Sequence, residues 1–434
     1  MLVQLTLENV LSFDAPATFS MVAGKITKQH VNHVTKACGL KILRGAIVYG
    51  ANAGGKSNLV RAVALFREML LRNDCSVCAG RQFRLNDPVK PAMRFAFDYT
   101  GGERLFHYEV ATDGTKVLLE TLSVREDDGE DEVLFDRTPE LSGLEPRLEN
   151  VEWFRNRTVK PSGLYLAKTV EDNLPGQRER LADATLLLSA YSELRELTPV
   201  FSFSGGSSIG DMLRYDNRFK SFLADLLRRA DIGITDIGWE PVPERETDRL
   251  FERHWIPGFE PDGYPPENVS ASIGVRVGKD WYLLTKGKTW RKAEELRLRH
   301  GRASFHFAEE SEGTIRLIEL ASFLYGLERF GGTYFIDELD CHLHPFLAKH
   351  LLRTFLERPE TKAQLVVTAH DTNLLSQELW RTDEVWFAEK RPKGSTDLYS
   401  VYQFAPRFDK DLEKGYLQGM YGAIPYFGKE PDRG

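Results

Sequence analysis

The chain has 434 residues, 42% of them apolar and 28% charged, and its 57 basic against 64 acidic side chains give a formal charge of −7. At roughly 100–200 residues per domain this is more than one ordinary folding unit, and the acidic balance excludes a polycation that coats nucleic acid, so any DNA contact must come from a local patch. No run of about 18 apolar residues could cross a bilayer. The first residues carry Glu8 and Asp14 in place of a basic n-region and apolar h-region, so a cytoplasmic location without membrane contact is expected.

Residues 3–10 alternate in polarity as a half-buried strand does, and 41–49 form a short apolar run that reads as a second strand. Apolar side chains then recur at helical spacing over 58–72 (Leu59, Ala62, Val63, Phe66, Met69, Leu70). Between run and helix stands Gly50-Ala51-Asn52-Ala53-Gly54-Gly55-Lys56-Ser57, which satisfies G-x-x-x-x-G-K-[ST] in the strand, turn, helix context that the motif requires. Glycines let backbone wrap closely around phosphate oxygens, and the helix start adds amides and a positive dipole end. Gly50, Asn52, Gly54, Gly55, Lys56, Ser57 and Asn58 are therefore expected to bind nucleotide. Lys56 would reach the β- and γ-phosphates, and the Ser57 hydroxyl would ligate Mg²⁺.

Cys75-x-x-Cys78 is half of a zinc pattern with no second pair among the four cysteines, so two reduced thiols are expected. Residues 91–136 read as an antiparallel meander broken at Gly101-Gly102 and Asp113-Gly114. A dense acidic stretch follows (Glu126, Asp127, Asp128, Glu130, Asp131, Glu132), expected as a solvated loop. Helices are expected over 171–232, a Pro- and Gly-rich loop over 241–268, and strands over 271–277 and 281–285. Seven basic residues within 286–302 (Lys286, Lys288, Arg291, Lys292, Arg297, Arg299, Arg302) form either a solvated face or a patch for DNA phosphates.

Glu309-Glu310-Ser311-Glu312-Gly313-Thr314 opens an apolar helix, where a Ser-x-Gly-Thr start suits either helix capping or anion binding. The apolar run 332–336 then delivers Asp337 and Glu338, paired acids whose burial is costly unless they meet a cation or a proton-transfer task. Asp337 suits the shell of a Mg²⁺ ion, and Glu338 can polarise an attacking water as general base. Gln364 to Thr368 is a further apolar run, followed by Ala369-His370-Asp371, where His370 could sense a γ-phosphate.

This order of pieces resembles the ABC-type ATPases, and within them the SMC, RecF and OLD branch more than the transporter branch. The resemblance implies an α/β P-loop NTPase head carrying an antiparallel β subdomain and a helical insertion, with limits at 1–90 (N-terminal lobe), 91–136 (β subdomain), 137–269 (acidic loop and helical insertion) and 270–434 (C-terminal lobe). It implies ATP and Mg²⁺ as ligands, and a homodimer or higher oligomer in which Ser311, Gly313 and Thr314 of one copy close the site of the other. Leu339 to Pro345 is similar to the D-loop region, which gives His342 and His344 an interface role. The Q-loop has no clear match, and Gln82 is its nearest candidate as a Mg²⁺ contact. The tail, with Asp409-Lys410-Asp411-Leu412-Glu413-Lys414-Gly415-Tyr416-Leu417-Gln418-Gly419 leading into Tyr421-Gly422-Ala423-Ile424-Pro425, resembles stand-alone ATPases of bacterial abortive-infection and phage-defence operons. A separate effector protein, nuclease or toxin, is then the implied partner. A RecF-like DNA-repair ATPase and a nucleotide-gated scaffold with little turnover are the competing expectations.

Overall fold

A computed structural model describes residues 1–26, 29–86, 88–125, 131–137, 159–171, 181–201, 208–255, 271–287, 290–358, 362–404 and 411–424. Lys288, Asp409, Lys410, Pro425 and the acidic residues at 126–130 lie outside them. The chain divides into two units, one of Met1–Phe201, Phe330–Asp340 and Ala348–Gly434, the other of Ser202–Arg329 and Cys341–Leu347.

Gly45–Tyr49 is buried at every residue, the pattern of a strand covered on both faces. With strands numbered along the chain, it is β5, inside a six-stranded sheet ordered β10 (Leu197–Val200), β16 (Thr333–Ile336), β17 (Gln364–Thr368), β5, β18 (Val385–Lys390) and β19 (Thr396–Ser400). All neighbours are parallel except the antiparallel pair β18 and β19. The apolar run at 41–49 is in fact broken at Arg44: β4 (Leu40–Leu43) pairs instead with β3 (Val34–Ala37). The buried Arg44 guanidinium donates to the carbonyls of Asn32, Phe355 and Leu356.

A second sheet is antiparallel, in the order β2 (Ala17–Ser20), β1 (Leu2–Glu8), β6 (Met93–Gly101), β7 (Arg104–Thr112), β8 (Val117–Arg125), β9 (Asp131–Arg137). The meander is therefore continuous with the N-terminal strands and is not a separate block, and Asp131 and Glu132, expected in a loop, lie in β9. Helix α1 (Lys56–Arg72) buries Leu59, Val63, Phe66 and Leu70 in a core shared with both sheets. The Phe66 ring lies 4.2 Å from that of Phe97. The buried Gln364 side chain links the sheets further, accepting from Leu2 N–H and donating to the carbonyls of Leu2 and Leu43. Helices α2 (Tyr165–Glu171) and α3 (Leu181–Arg195) complete this unit's middle segment.

In the other unit, β11 (Asp236–Pro241), β14 (Arg291–His300), β13 (Asp280–Lys286) and β12 (Ala271–Val277) form an antiparallel sheet, with β15 (Ala303–His306) paired to β14. Its helices are α4 (Ser208–Tyr215), α5 (Asn217–Arg229), α6 (Glu244–His254) and most of α7 (Glu312–Phe330). Helix α6 falls where a loop was expected. Prolines and glycines on both sides hid a strongly amphipathic stretch whose Thr247, Leu250 and Phe251 are buried.

Candidate nucleotide site

Parallel strands deliver their C-terminal ends to one edge, where open α/β sheets bind ligands. Ile336 of β16 is level with Val367 of β17, and Thr368 is level with Val48 of β5. Asp337 and Glu338, Ala369 and His370, and Gly50 therefore emerge side by side. The sheet brings the three motifs together across some 320 residues of chain, from Gly50 to His370.

The glycine loop is shaped by its neighbours. Gly50 has φ of 151° and Gly55 of 111°, conformations that glycine alone tolerates easily. A Cβ on Gly50 or Gly54 would lie 2.1 or 2.6 Å from the Ala388 carbonyl oxygen, and one on Gly55 would lie 2.0 Å from Thr396 Oγ1. The loop is thus pressed against the end of β18 and the start of β19. Within it, Ala51 N–H donates to the Ala423 carbonyl and Gly54 N–H to the Ala51 carbonyl. The amides of Asn52, Ala53, Gly55, Lys56 and Ser57 have no acceptor among the described residues. A row of unengaged amides at the start of a 17-residue helix is a cradle for anionic oxygens.

Lys56 is only 4% exposed and donates through Nζ to the carbonyls of Gly50 (2.7 Å) and Ala51 (3.1 Å). Burial pushes its ammonium down from 10.5 to about 8, against the opposing pull of the Asp337, Asp340 and Glu338 carboxylates. Asn52 is exposed and Ser57 half-buried. Asn58 directs its side-chain amide to Ser12 Oγ at 2.8 Å, so its side chain serves to fix the helix start.

Asp337 is 7% exposed and accepts the Thr368 hydroxyl at 2.7 Å. The same hydroxyl oxygen accepts Glu338 N–H at 2.8 Å. Glu338 is held at φ of 49°, a left-handed conformation that costs a non-glycine residue about 1 kcal/mol or more. Its carboxylate stands 3.7 Å from His370 Nε2. Asp340 accepts the backbone amides of His370 (2.8 Å) and Asp371 (2.6 Å) on one oxygen. Thr368 and Asp340 are the residues that sequence reasoning missed. The signal for Thr368 was a lone hydroxyl ending the buried run Gln364–Thr368.

Among oxygen donors suited to Mg²⁺, the Ser57 hydroxyl and the Asp337 carboxylate lie at this edge. The Gln82 side-chain oxygen is buried with no hydrogen-bond partner among the described residues, a state costly enough to invite a ligand. The Ser57 and Asp337 donors fit the ion.

Ser311, Gly313 and Thr314 belong to the other unit. There Ser311 Oγ accepts Thr314 N–H at 3.1 Å, which caps α7. A Cβ on Gly313 would lie 2.6 Å from the His342 carbonyl oxygen, so the glycine admits the chain that follows Asp337 and Glu338. His342 pairs with Glu312, and His344 Nδ1 accepts Phe346 N–H. The basic stretch is mostly a strand, in which Arg291 pairs with Asp248, Lys292 with Glu294, Arg297 with Glu295, and Arg299 with Glu240. Cys75 and Cys78 are buried, and burial pushes the Cys78 thiol up to about 12, so it stays protonated as an ordinary reduced thiol.

A family model described as "AAA domain, putative AbiEii toxin, Type IV TA system" matches residues 46–376, which include the phosphate loop, Asp337, Glu338 and His370. The chain belongs to this family. The matched segment carries the P-loop motif in a mixed α/β fold, that of a P-loop nucleotide-binding domain. No curated protein matches the sequence. Solved structures similar to it include the SMC head domain from Thermotoga maritima, at 14% identity over 92% of this chain and 98% of that one, with a TM-score of 0.40. An SMC head bound to the C-terminal winged-helix domain of ScpA gives 12% identity, 96% and 99% coverage and a TM-score of 0.44. An SMC head with an extended coiled coil, bound to the C-terminal domain of ScpA derived from Pyrococcus furiosus, gives 12%, 96%, 99% and 0.37. Likeness this distant transfers no property of those proteins to this chain.

Proposed function

We propose that this chain binds ATP with Mg²⁺ at the sheet edge, hydrolyses it slowly as a pair of heads, and uses the cycle to control a separate effector in antiphage defence. The observation that carries this reading is the gathering of unengaged loop amides, Lys56, Asp337, Glu338 and His370 at one sheet edge. Phosphoryl transfer to water needs positioning and charge neutralisation more than a covalent nucleophile. In this reading the amides of Asn52, Ala53, Gly55, Lys56 and Ser57 and the Lys56 side chain hold the phosphates, and Ser57, Asp337 and Gln82 hold the metal, which when bound neutralises phosphate charge. Glu338 takes a proton from the attacking water, and His370, oriented through the grip of Asp340 on its backbone, contacts the γ-phosphate. Ser311, Gly313 and Thr314 act on the site of a second copy.

The family description, a putative toxin of a toxin–antitoxin system, is compatible with a defence role. The arginines of β14 are paired to carboxylates, which gives a DNA-driven repair role little support. The deciding experiment is single-turnover hydrolysis with size-exclusion chromatography in ATP and Mg²⁺. Wild type should release phosphate, and Glu338→Gln should bind ATP, fail to turn over and elute as a dimer. Full turnover in Glu338→Gln would remove Glu338 as base. Stable ATP with no phosphate release from wild type over hours would leave a nucleotide-gated scaffold.

A further inference from the structure

The first amide of the phosphate loop is held by a part of the chain that lies beyond the residues matched by the family model. Ala51 N–H donates to the carbonyl of Ala423 at 2.8 Å. The Ala51 carbonyl in turn accepts Lys56 Nζ at 3.1 Å and Gly54 N–H at 3.0 Å. One residue, Ala51, therefore connects the tail, the loop backbone and the lysine.

The tail end of that connection is over-determined. Ala423 sits at φ of 56°, an unfavourable conformation for alanine that persists only where surroundings enforce it. Its N–H donates to Glu389 Oε1 at 3.0 Å, and its carbonyl also accepts the Tyr416 hydroxyl at 3.1 Å. Tyr399 Oη donates to the Tyr421 carbonyl and also lies 3.2 Å from Glu389 Oε2. A Cβ on Gly422 would lie 2.8 Å from Tyr399 Oη, and one on Gly415 would lie 2.9 Å from the Tyr421 ring. The rings of Tyr416 and Tyr421 stack on Phe387 at 5.2 and 5.9 Å. Glu389 directly follows Ala388, whose carbonyl presses on Gly50 and Gly54. The end of β18 thus grips the loop twice, directly through Ala388 and indirectly through Glu389 and Ala423.

We propose that residues 415–424 are a clasp that presets the phosphate loop for nucleotide, with Glu389 and Tyr416 as positioning residues. The inference rests on the reading of this loop as the ATP site. Loosening the clasp frees Ala51 and with it the carbonyl that steers Lys56, so binding loses preorganisation while the groups that act on water are untouched.

The test is the Kd for ATPγS with Mg²⁺, read beside kcat at saturating ATP and the melting temperature without nucleotide, in otherwise intact protein. Glu389→Ala should weaken binding about tenfold and Tyr416→Phe about threefold, the scale of one lost hydrogen bond, with kcat within about threefold. Glu389→Gln keeps an acceptor for Ala423 N–H and should restore affinity to within about twofold of wild type. A lowered melting temperature with unchanged Kd in Glu389→Ala and Tyr416→Phe would reduce the clasp to simple packing and overturn the proposal. Should Glu389→Ala not fold, Tyr416→Phe decides alone. If wild type and Lys56→Ala both fail to bind ATPγS, the ATP-site reading falls and the clasp falls with it. Wild-type binding that Lys56→Ala abolishes and the clasp variants leave intact rejects the clasp only.

Discussion

Along β14 in one unit, Arg291, Lys292, Arg297 and Arg299 each find a carboxylate, the farthest of these at 3.3 Å. At the edge of the parallel sheet in the other unit, Lys56 donates to two backbone carbonyls while Asp337 and Glu338 are held by a hydroxyl shared between them. The contrast lies in which groups answer the charge. Lys292 and Arg297 pair with acids two residues away on the same strand, Arg291 reaches Asp248 of α6, and Arg299 reaches Glu240 of β11, so the basic stretch cancels locally. Parallel strands deliver ionisable groups to one end, where no strand continues opposite them. Ionisable groups gathered and held at such an edge are available to a ligand.

The sharpest way to break this comparison is to remove the buried cation. Lys56→Ala should weaken ATPγS binding by about a hundredfold or more, since it deletes a desolvated charge-assisted contact, as isothermal titration would read. The same change at Lys292, on the cancelled strand, should leave that Kd within about twofold. Next in size, Glu338→Gln should lower single-turnover hydrolysis about a hundredfold or more with binding retained, the scale of a lost general base. Thr368→Val removes the hydroxyl that bridges Asp337 and the Glu338 amide, and a loss of about tenfold in kcat/KM is expected. Unchanged kinetics in Thr368→Val would mean that the acids hold their positions without it.

The smallest effect is in pH. Lys56 titrates at about 8 in the folded protein against 10.5 ordinarily, so between these values the unfolded chain binds the extra proton. The cost of burying the charge is therefore complete below pH 8 and fades as pH rises toward 10.5, and nucleotide-free protein should gain stability across that window. Affinity for ATPγS should move the opposite way, falling as pH rises through about 8, because the phosphates need the charged form. Lys56→Ala should flatten both trends, in thermal melts and in titrations across the pH range.

The glycine loop, the helix after it and the two strand ends were legible because each is a local pattern: a turn that only glycine permits, a 3.6-residue repeat, an apolar run closed by acids. The break at Arg44 was not, because the carbonyls of Phe355 and Leu356 that receive its guanidinium are remote in sequence. Nor was helix α6, whose flanking prolines and glycines spoke louder than its apolar face. Asp340 and Thr368 each look ordinary in the sequence, and their partners lie about 30 residues away along the chain.

By itself the sequence determined the chemistry on offer: a backbone that can wrap an anion, one lysine at a helix start, two acids closing an apolar strand. Tertiary structure alone decided which of these meet. Parallel register sets Asp337, His370 and Gly50 at one edge, keeps Ser311 and Gly313 in the other unit, and brings Ala423 from the far end of the chain onto the first amide of the loop. The reason is that strand register and loop closure are settled by burial of whole faces, and no window of neighbouring residues contains that information.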